Sequence, residues 1–196
     1  MSPKQQRGEA TAAQVLDCAL DLYVAQGEAG LTLSAITSAS GVSAGSIYHH
    51  FGSLQGVVLA LAQSWLVRLL DELGGALEQV DGARDGVHAL VRAYLRFVQL
   101  NPGAARLMHS VAADRETGAH AQQIRGAQEA RLAPLLAWLH THQASGELVG
   151  LPLPVLESLI MGPVTAIARR WLSIGDVDLA EAERTMAEHI WRSVSR

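Results

Sequence analysis

Apolar residues recur along most of the chain at spacings of three and four, the period of helices buried by one face. Val15, Leu16, Ala19, Leu22 and Tyr23 form the first such run, and Gly27 stands where that helix should stop. Leu54, Val58, Leu61, Trp65 and Leu69 mark a long fourth helix, with Gly74-Gly75 expected to fray its end. Val87, Leu90, Val91, Tyr94 and Val98 predict a fifth, closed by Asn101-Pro102-Gly103, and a short helix is expected over Ala104 to Val111. Ile124, Leu132, Leu135, Leu136 and Leu139 predict a seventh, ending near Gln143. The Gly and Pro residues of "SGELVGLPLP" break the pattern. Beyond them Val155 to Ile174 is almost wholly apolar, and Leu179 to Val194 is amphipathic. No segment reads as a strand. The expected class is all-α with about nine helices. A three-helix N-terminal domain over 1–53 should precede a larger helical domain over 54–196.

The densest local information lies in "LTLSAITSASGVSAGSIYHHFGS", Leu31 to Ser53. Thr32 can cap a short helix whose Leu33 and Ile36 face inward. Gly41 supplies the left-handed conformation that ends it, and Val42 plugs the corner. Ser43 caps a second short helix running through Phe51, Gly52 ends it, and Ser53 caps the fourth helix. Two short helices joined by a glycine turn form a helix-turn-helix, whose second helix enters the DNA major groove. Ile47 and Phe51 anchor its inner face. Ala44, Gly45, Ser46, Tyr48, His49 and His50 remain outside. The small residues permit close approach, and the polar ones can reach phosphates or base edges.

Composition narrows the function classes. With 49% apolar and 17% charged residues in 196, the chain can bury a core. The single cysteine, Cys18, excludes an internal disulfide and reads as a small buried residue. "MSPKQQRGEATAAQ" lacks the apolar stretch of a signal peptide, and no run of about 18 apolar residues predicts a membrane span. His140 and His142 lie two apart and point to different sides of a helix, so no metal site is expected. No nucleophile elbow, Walker loop or dinucleotide fingerprint occurs. Neither an enzyme nor a cofactor is expected.

The segment "GVSAGSIYHHFGS" resembles the signature of the TetR family of transcriptional regulators, a likeness covering roughly residues 10 to 65. "MGPVTAIARRWL" is similar to a C-terminal helix of many members. The resemblance implies an all-α homodimer that binds DNA through its first three helices. Its C-terminal helices would hold a small ligand and form the dimer interface. Two departures stand out. Family members usually carry a Lys one residue into the fourth helix, where this chain has Leu54. Many carry an Arg where it reads "ATAAQ". Residues 1–54 hold Lys4 and Arg7 against Glu9, Asp17, Asp21 and Glu28, a net charge of −2. Phosphate contact therefore falls to neutral donors, namely Thr32, Ser34, Ser43, Ser46, Tyr48, His50 and Ser53 with the helix N-termini.

For the C-terminal helices, Trp65, Leu69, Tyr94, Phe97, Met108, Trp138 and Met161 are candidate ligand-lining residues, against the plainer reading that they fill the core. The expected effector is apolar or amphipathic. Val155, Leu159, Gly162, Ala166, Arg169 and Arg170, with Met186 and Ile190 on the last helix, are the expected dimer interface, a four-helix arrangement across a two-fold axis. Pro163 should bend its helix. Two functions follow. One is a cytoplasmic, ligand-responsive regulator binding a palindromic operator in double-stranded DNA, most simply a repressor. The other is a helical dimer that binds a small molecule or partner and has weakened DNA binding. No membrane partner is expected.

Overall fold

The computed structural model of the protein describes residues 3–110 and 121–196, with side chains from 5–110 and 130–196. Among these residues the chain forms nine α-helices and no strand. They are α1 Pro3–Gln26, α2 Leu33–Ser40, α3 Ala44–Phe51, α4 Leu54–Glu78, α5 Ala83–Leu100, α6 Pro102–Met108, α7 Ala121–Ala144, α8 Leu153–Ser173 and α9 Leu179–Val194. A 3-10 turn, Gly27–Gly30, follows α1. The chain divides into two compact units, Met1–Trp65 with Arg106–Ala121, and Leu66–Ala105 with Gln122–Arg196. The division thus falls inside α4 rather than at its first residue.

The first unit packs around Val15 and Ala19 of α1, Ile36 of α2, Ile47 of α3, Val57, Val58 and Leu61 of α4, and Leu107 of α6. Each is among the residues withdrawn from water, and each shields its neighbours at roughly 25 cal/mol per Å² of apolar surface. α1 begins at Pro3, well before its apolar run, so the polar N-terminal segment is helical too.

In the second unit α5 is the central element. Val87, Leu90, Val91, Tyr94, Leu95 and Val98 are all buried, and α5 packs against α8 and α9, which pack on each other. Arg84 and Arg92 of α5 reach Glu188 and Glu183 of α9, both at 2.9 Å. The loop after α7 is tied to the C-terminus: Val149 donates to the Val194 carbonyl at 2.9 Å, and Leu148 bridges Ser195. Gln143 closes the same loop by donating to the carbonyls of Val149 and Leu151.

Two details correct the sequence reading. α4 runs unbroken through Gly74-Gly75 to Glu78, because Leu73 and Leu77 on either side are buried and hold the helix together. α6 begins at Pro102, not Ala104, since proline at the first helical position loses no needed hydrogen bond. Val111, its expected end, lies outside the described residues, as does the side chain of Ile124. α4 is also long and apolar enough to cross a membrane by length and composition alone. Its apolar residues Val57, Leu61, Leu69, Leu70, Leu73 and Leu77 are buried within the protein.

Candidate nucleic-acid interface

The first unit builds a helix-turn-helix from local hydrogen bonds. Thr32 is extended, and its Oγ1 accepts from the Ala35 N–H at 3.1 Å. α2 ends at Gly41, φ +68°, the left-handed region that disfavours a side chain. Ser43 starts α3 in the same way as Thr32 starts α2, its Oγ accepting from the Ser46 N–H at 3.3 Å. Gly52 closes α3, and Ser53 Oγ accepts from the Gly56 N–H at 2.9 Å to open α4.

Three residues that the sequence reading passed over secure the turn. Ser40 is buried; its hydroxyl donates to the Ile36 carbonyl at 2.6 Å and accepts from the Val42 N–H at 3.2 Å. Gln14 of α1 donates to the Ser40 carbonyl at 2.7 Å, joining the first helix to the turn. At Gly56 a Cβ would lie 1.9 Å from the Phe51 carbonyl oxygen, so only glycine lets α4 leave α3 this tightly. A serine two residues before a loop valine was the one available signal for the Ser40 bond.

The outer edge of α3 carries the expected contact groups. Tyr48, His49 and His50 are exposed, Tyr48 at 51%, while Ile47 beneath them is fully buried. Gly45 is exposed with open space where a Cβ would stand; Ala44 and Ser46 are half-buried. Thr32, Ser34 and Ser43 are exposed and Ser53 is half-buried. The capping hydroxyls of Thr32, Ser43 and Ser53 each use a lone pair on the backbone and keep their O–H to donate outward. The His49 and His50 rings meet edge-on with centroids 5.5 Å apart. His50 also stands 3.5 Å from where a Cβ on Gly8 would be, so the start of α1 runs beside the end of α3. Leu54 is half-buried and packs against the core of the unit, rather than presenting its side chain outward.

In the second unit the candidate ligand residues are mostly packed. Leu69, Tyr94 and Phe97 are buried. Tyr94 is hydrogen-bonded to Thr165 of α8, and burial raises its phenol above the usual value against the opposing pull of that bond and of Arg169. Trp138 is half-buried, with its indole centroid 4.9 Å from that of His142, and Met161 is half-buried on α8. Trp65 and Met108 belong instead to the first unit, where Trp65 packs on the core.

α8 presents two unlike faces. Leu156, Ile160, Val164 and Ala168 are buried, whereas Val155, Gly162, Ala166, Arg169 and Arg170 are exposed and Leu159 is half-buried. Arg170 is paired with Asp176, Nε to Oδ1 at 2.9 Å. On α9, Met186 is half-buried and Ile190 is buried inside its own unit.

Residues 15–61 match the sequence profile of the family described as bacterial regulatory proteins, tetR family. The chain is 33% identical over 88 residues to the HTH-type transcriptional regulator BetI of Rhizobium meliloti (strain 1021), spanning 45% of this chain and 43% of that one. It is 28% identical over 93 residues to the uncharacterized HTH-type transcriptional regulator YobS of Bacillus subtilis (strain 168), spanning 47% and 48%. The match thus spans less than half the length of either relative. Among solved structures, a TetR family transcription regulator from Marinobacter aquaeolei VT8 superposes with a TM-score of 0.75 at 19% identity, over 97% of this chain and 98% of that one. A TetR family regulator from Shewanella sp. PV-4 gives 0.74 at 21% identity, over 95% and 98%. These two likenesses establish a shared fold along nearly the whole chain. The profile match is confined to the first unit, where the helix-turn-helix lies.

Proposed function

We propose that the protein is a DNA-binding transcriptional regulator of the cytoplasm, a homodimeric repressor released from a palindromic operator by a small apolar or amphipathic molecule. The observation that carries this reading is the capped helix-turn-helix with Tyr48, His49 and His50 exposed above a buried Ile47. α3 would enter the major groove by its Gly45 end. The hydroxyls of Thr32, Ser34, Ser43, Ser46 and Ser53, with Tyr48 and His50, would hold the phosphates, and His49 would read a base edge. The exposed face of α8 would meet its two-fold mate through Val155, Leu159, Gly162 and Ala166. The effector would bind in the second unit, among Leu69, Tyr94, Phe97, Trp138 and Met161. α4, which begins in the first unit and continues in the second, would carry the change to α3. Such a change requires the effector to bind the released conformation more tightly.

A second reading, a ligand-binding dimer with weakened DNA binding, is favoured by the half-buried Leu54 and the net charge of −2 over residues 1–54. Selection of genomic fragments with the purified full chain at low salt separates the two. Enrichment of a palindrome with half-sites about one helical turn apart supports the regulator. Retention of no sequence at low salt, where phosphate contacts are strongest, supports the second reading.

A further inference from the structure

The second unit carries an open groove of about 790 Å³ between the C-terminal half of α4 and α5. Its origin is local. The chain turns between α4 and α5 at residues 79–82, and both helices line the groove: Arg68, Glu72 and Ala76 from α4, Gln79 at the turn, and Ala89, Ala93, Arg96 and Leu100 from α5. Small residues at the centre, Gly75, Ala76, Ala89 and Ala93, keep the helices' side chains from filling the space.

Charge in the groove is uneven. Asp71 is turned to Arg131 of α7 at 3.2 Å, and Arg92 to Glu183 of α9 at 2.9 Å, so these two are neutralised by neighbours. Glu72 sits one helical turn from Arg68 on the same helix. Arg96 is left: among the described residues it has no hydrogen-bond or ion-pair partner. Beside it lie Leu100, 68% exposed, and the edge of Phe97. The groove thus sets an exposed apolar side chain next to a cation that no described neighbour neutralises.

We propose that this groove binds a small amphipathic anion, a carboxylate on an apolar chain. Its head group pairs with the Arg96 guanidinium, whose planar donors match a carboxylate. Its apolar part lies over Ala93 and the edge of Phe97 and runs toward Ala89 and Val80. From Arg96 to Ala89 is two helical turns, so the lane accepts a chain about 10 Å long. Asp71 and Arg92 stay paired outward and do not compete for the head group.

The test is calorimetric titration of the full chain with octanoate, with octylammonium as the charge-reversed probe, in the absence of DNA. Failure of the regulator reading therefore leaves this result untouched, and the converse holds. Octanoate should bind saturably and octylammonium should not. R96Q removes an exposed group with no partner and leaves the fold intact; it should weaken octanoate about tenfold, the loss of one charge-assisted pair. A93L should weaken it by filling the lane, and E72Q should leave it unchanged or tighten it. Absence of saturable octanoate binding overturns the proposal, as does equal binding of octylammonium or unchanged affinity in both R96Q and A93L.

Discussion

The indole of Trp138 occupies the space that a side chain on Gly86 would need: a Cβ built there falls 2.2 Å from Trp138 Cζ2 and 2.7 Å from Cε2. α7 and α5 are thus packed at a distance that glycine alone permits. Gly86→Ala gains about 0.5–1 kcal/mol of helix propensity but forces the ring to move, an overpacking cost of about 1–3 kcal/mol. A net loss of stability is expected, read as a lower urea midpoint. The smaller ring in Gly86→Ala/Trp138→Phe should recover part of it relative to the sum of the single changes. Additive losses would mean that the two side chains do not meet.

The caps of the helix-turn-helix are the next check. Thr32 and Ser43 each satisfy one otherwise orphaned backbone N–H at the start of a helix only eight residues long. Such short helices depend on their ends. Thr32→Ala and Ser43→Ala should each cost about 1 kcal/mol, measured by chemical denaturation. The corresponding change to Gly should cost less, because glycine is itself accepted at that position.

These caps were legible because each signal is local: a hydroxyl residue three positions before its N–H partner, and a glycine where the chain turns left-handed. What was not legible depended on distant residues. Gly74-Gly75 reads as a helix end, but burial of Leu73 and Leu77 overrides the weak preference of two glycines. Gly86 sits inside a helical pattern with nothing nearby to explain it, until Trp138, more than fifty residues on, is seen against it. Leu54 was read from its place in a motif, and the motif does not say that the side chain packs on the core of its unit. The inward position of Ile190 likewise required the packing of α9 on α5.

Glu147 predicts a pH dependence. The N-terminus of α5 has Gly82 at its cap and therefore no side chain of its own there; Glu147 Oε1 accepts from the Ala83 N–H at 3.3 Å instead. The other oxygen lies 2.6 Å from His142 Nδ1 and accepts from Ser145 Oγ at 3.1 Å. The His142 bond above all, then the Ala83 and Ser145 bonds, hold the carboxyl below its ordinary value of 4.5. A depressed folded-state value means that the unfolded chain takes up the proton first. The contribution is therefore complete above the ordinary value and is lost as pH falls through the folded one. Glu147→Gln should flatten the acid limb of the stability curve below about pH 5. Denaturation midpoints measured across that range check it, and parallel curves for the two proteins would refute the assignment.

Leu54→Lys tests how much of the phosphate grip is missing at the start of α4. The Ser53 cap and the positive end of the helix already favour an anion there. The half-buried leucine packs on the core, so a lysine must lay its stem along the same surface and extend its ammonium to solvent. The variant should unfold at a lower temperature yet bind operator DNA with a steeper salt dependence, by about one added phosphate contact per half-site. An unchanged salt slope would show that this end of α4 does not face the DNA backbone.

The edge of α3 gives the most direct prediction. Tyr48 and His50 are exposed and lie on either side of His49 along the last turns of a helix whose inner face is fixed by the buried Ile47. Tyr48→Phe removes a single hydroxyl from an exposed ring, so the fold should be unaffected. If that hydroxyl donates to a phosphate, operator affinity should fall by about 1 kcal/mol. His50→Ala should have a similar effect, with a second source: its ring stands beside Gly8, and its loss frees the start of α1. Gly8→Ala narrows that space without touching Tyr48 or His49 and so isolates the positional part. His49→Ala should differ in kind. It should change which base is preferred at one position of each half-site, because a base-edge contact discriminates among sequences and a phosphate contact does not. Mobility-shift titrations against the selected operator and its single-base variants read both outcomes. Wild-type affinity and preference in all three α3 variants would remove this edge of α3 from the interface.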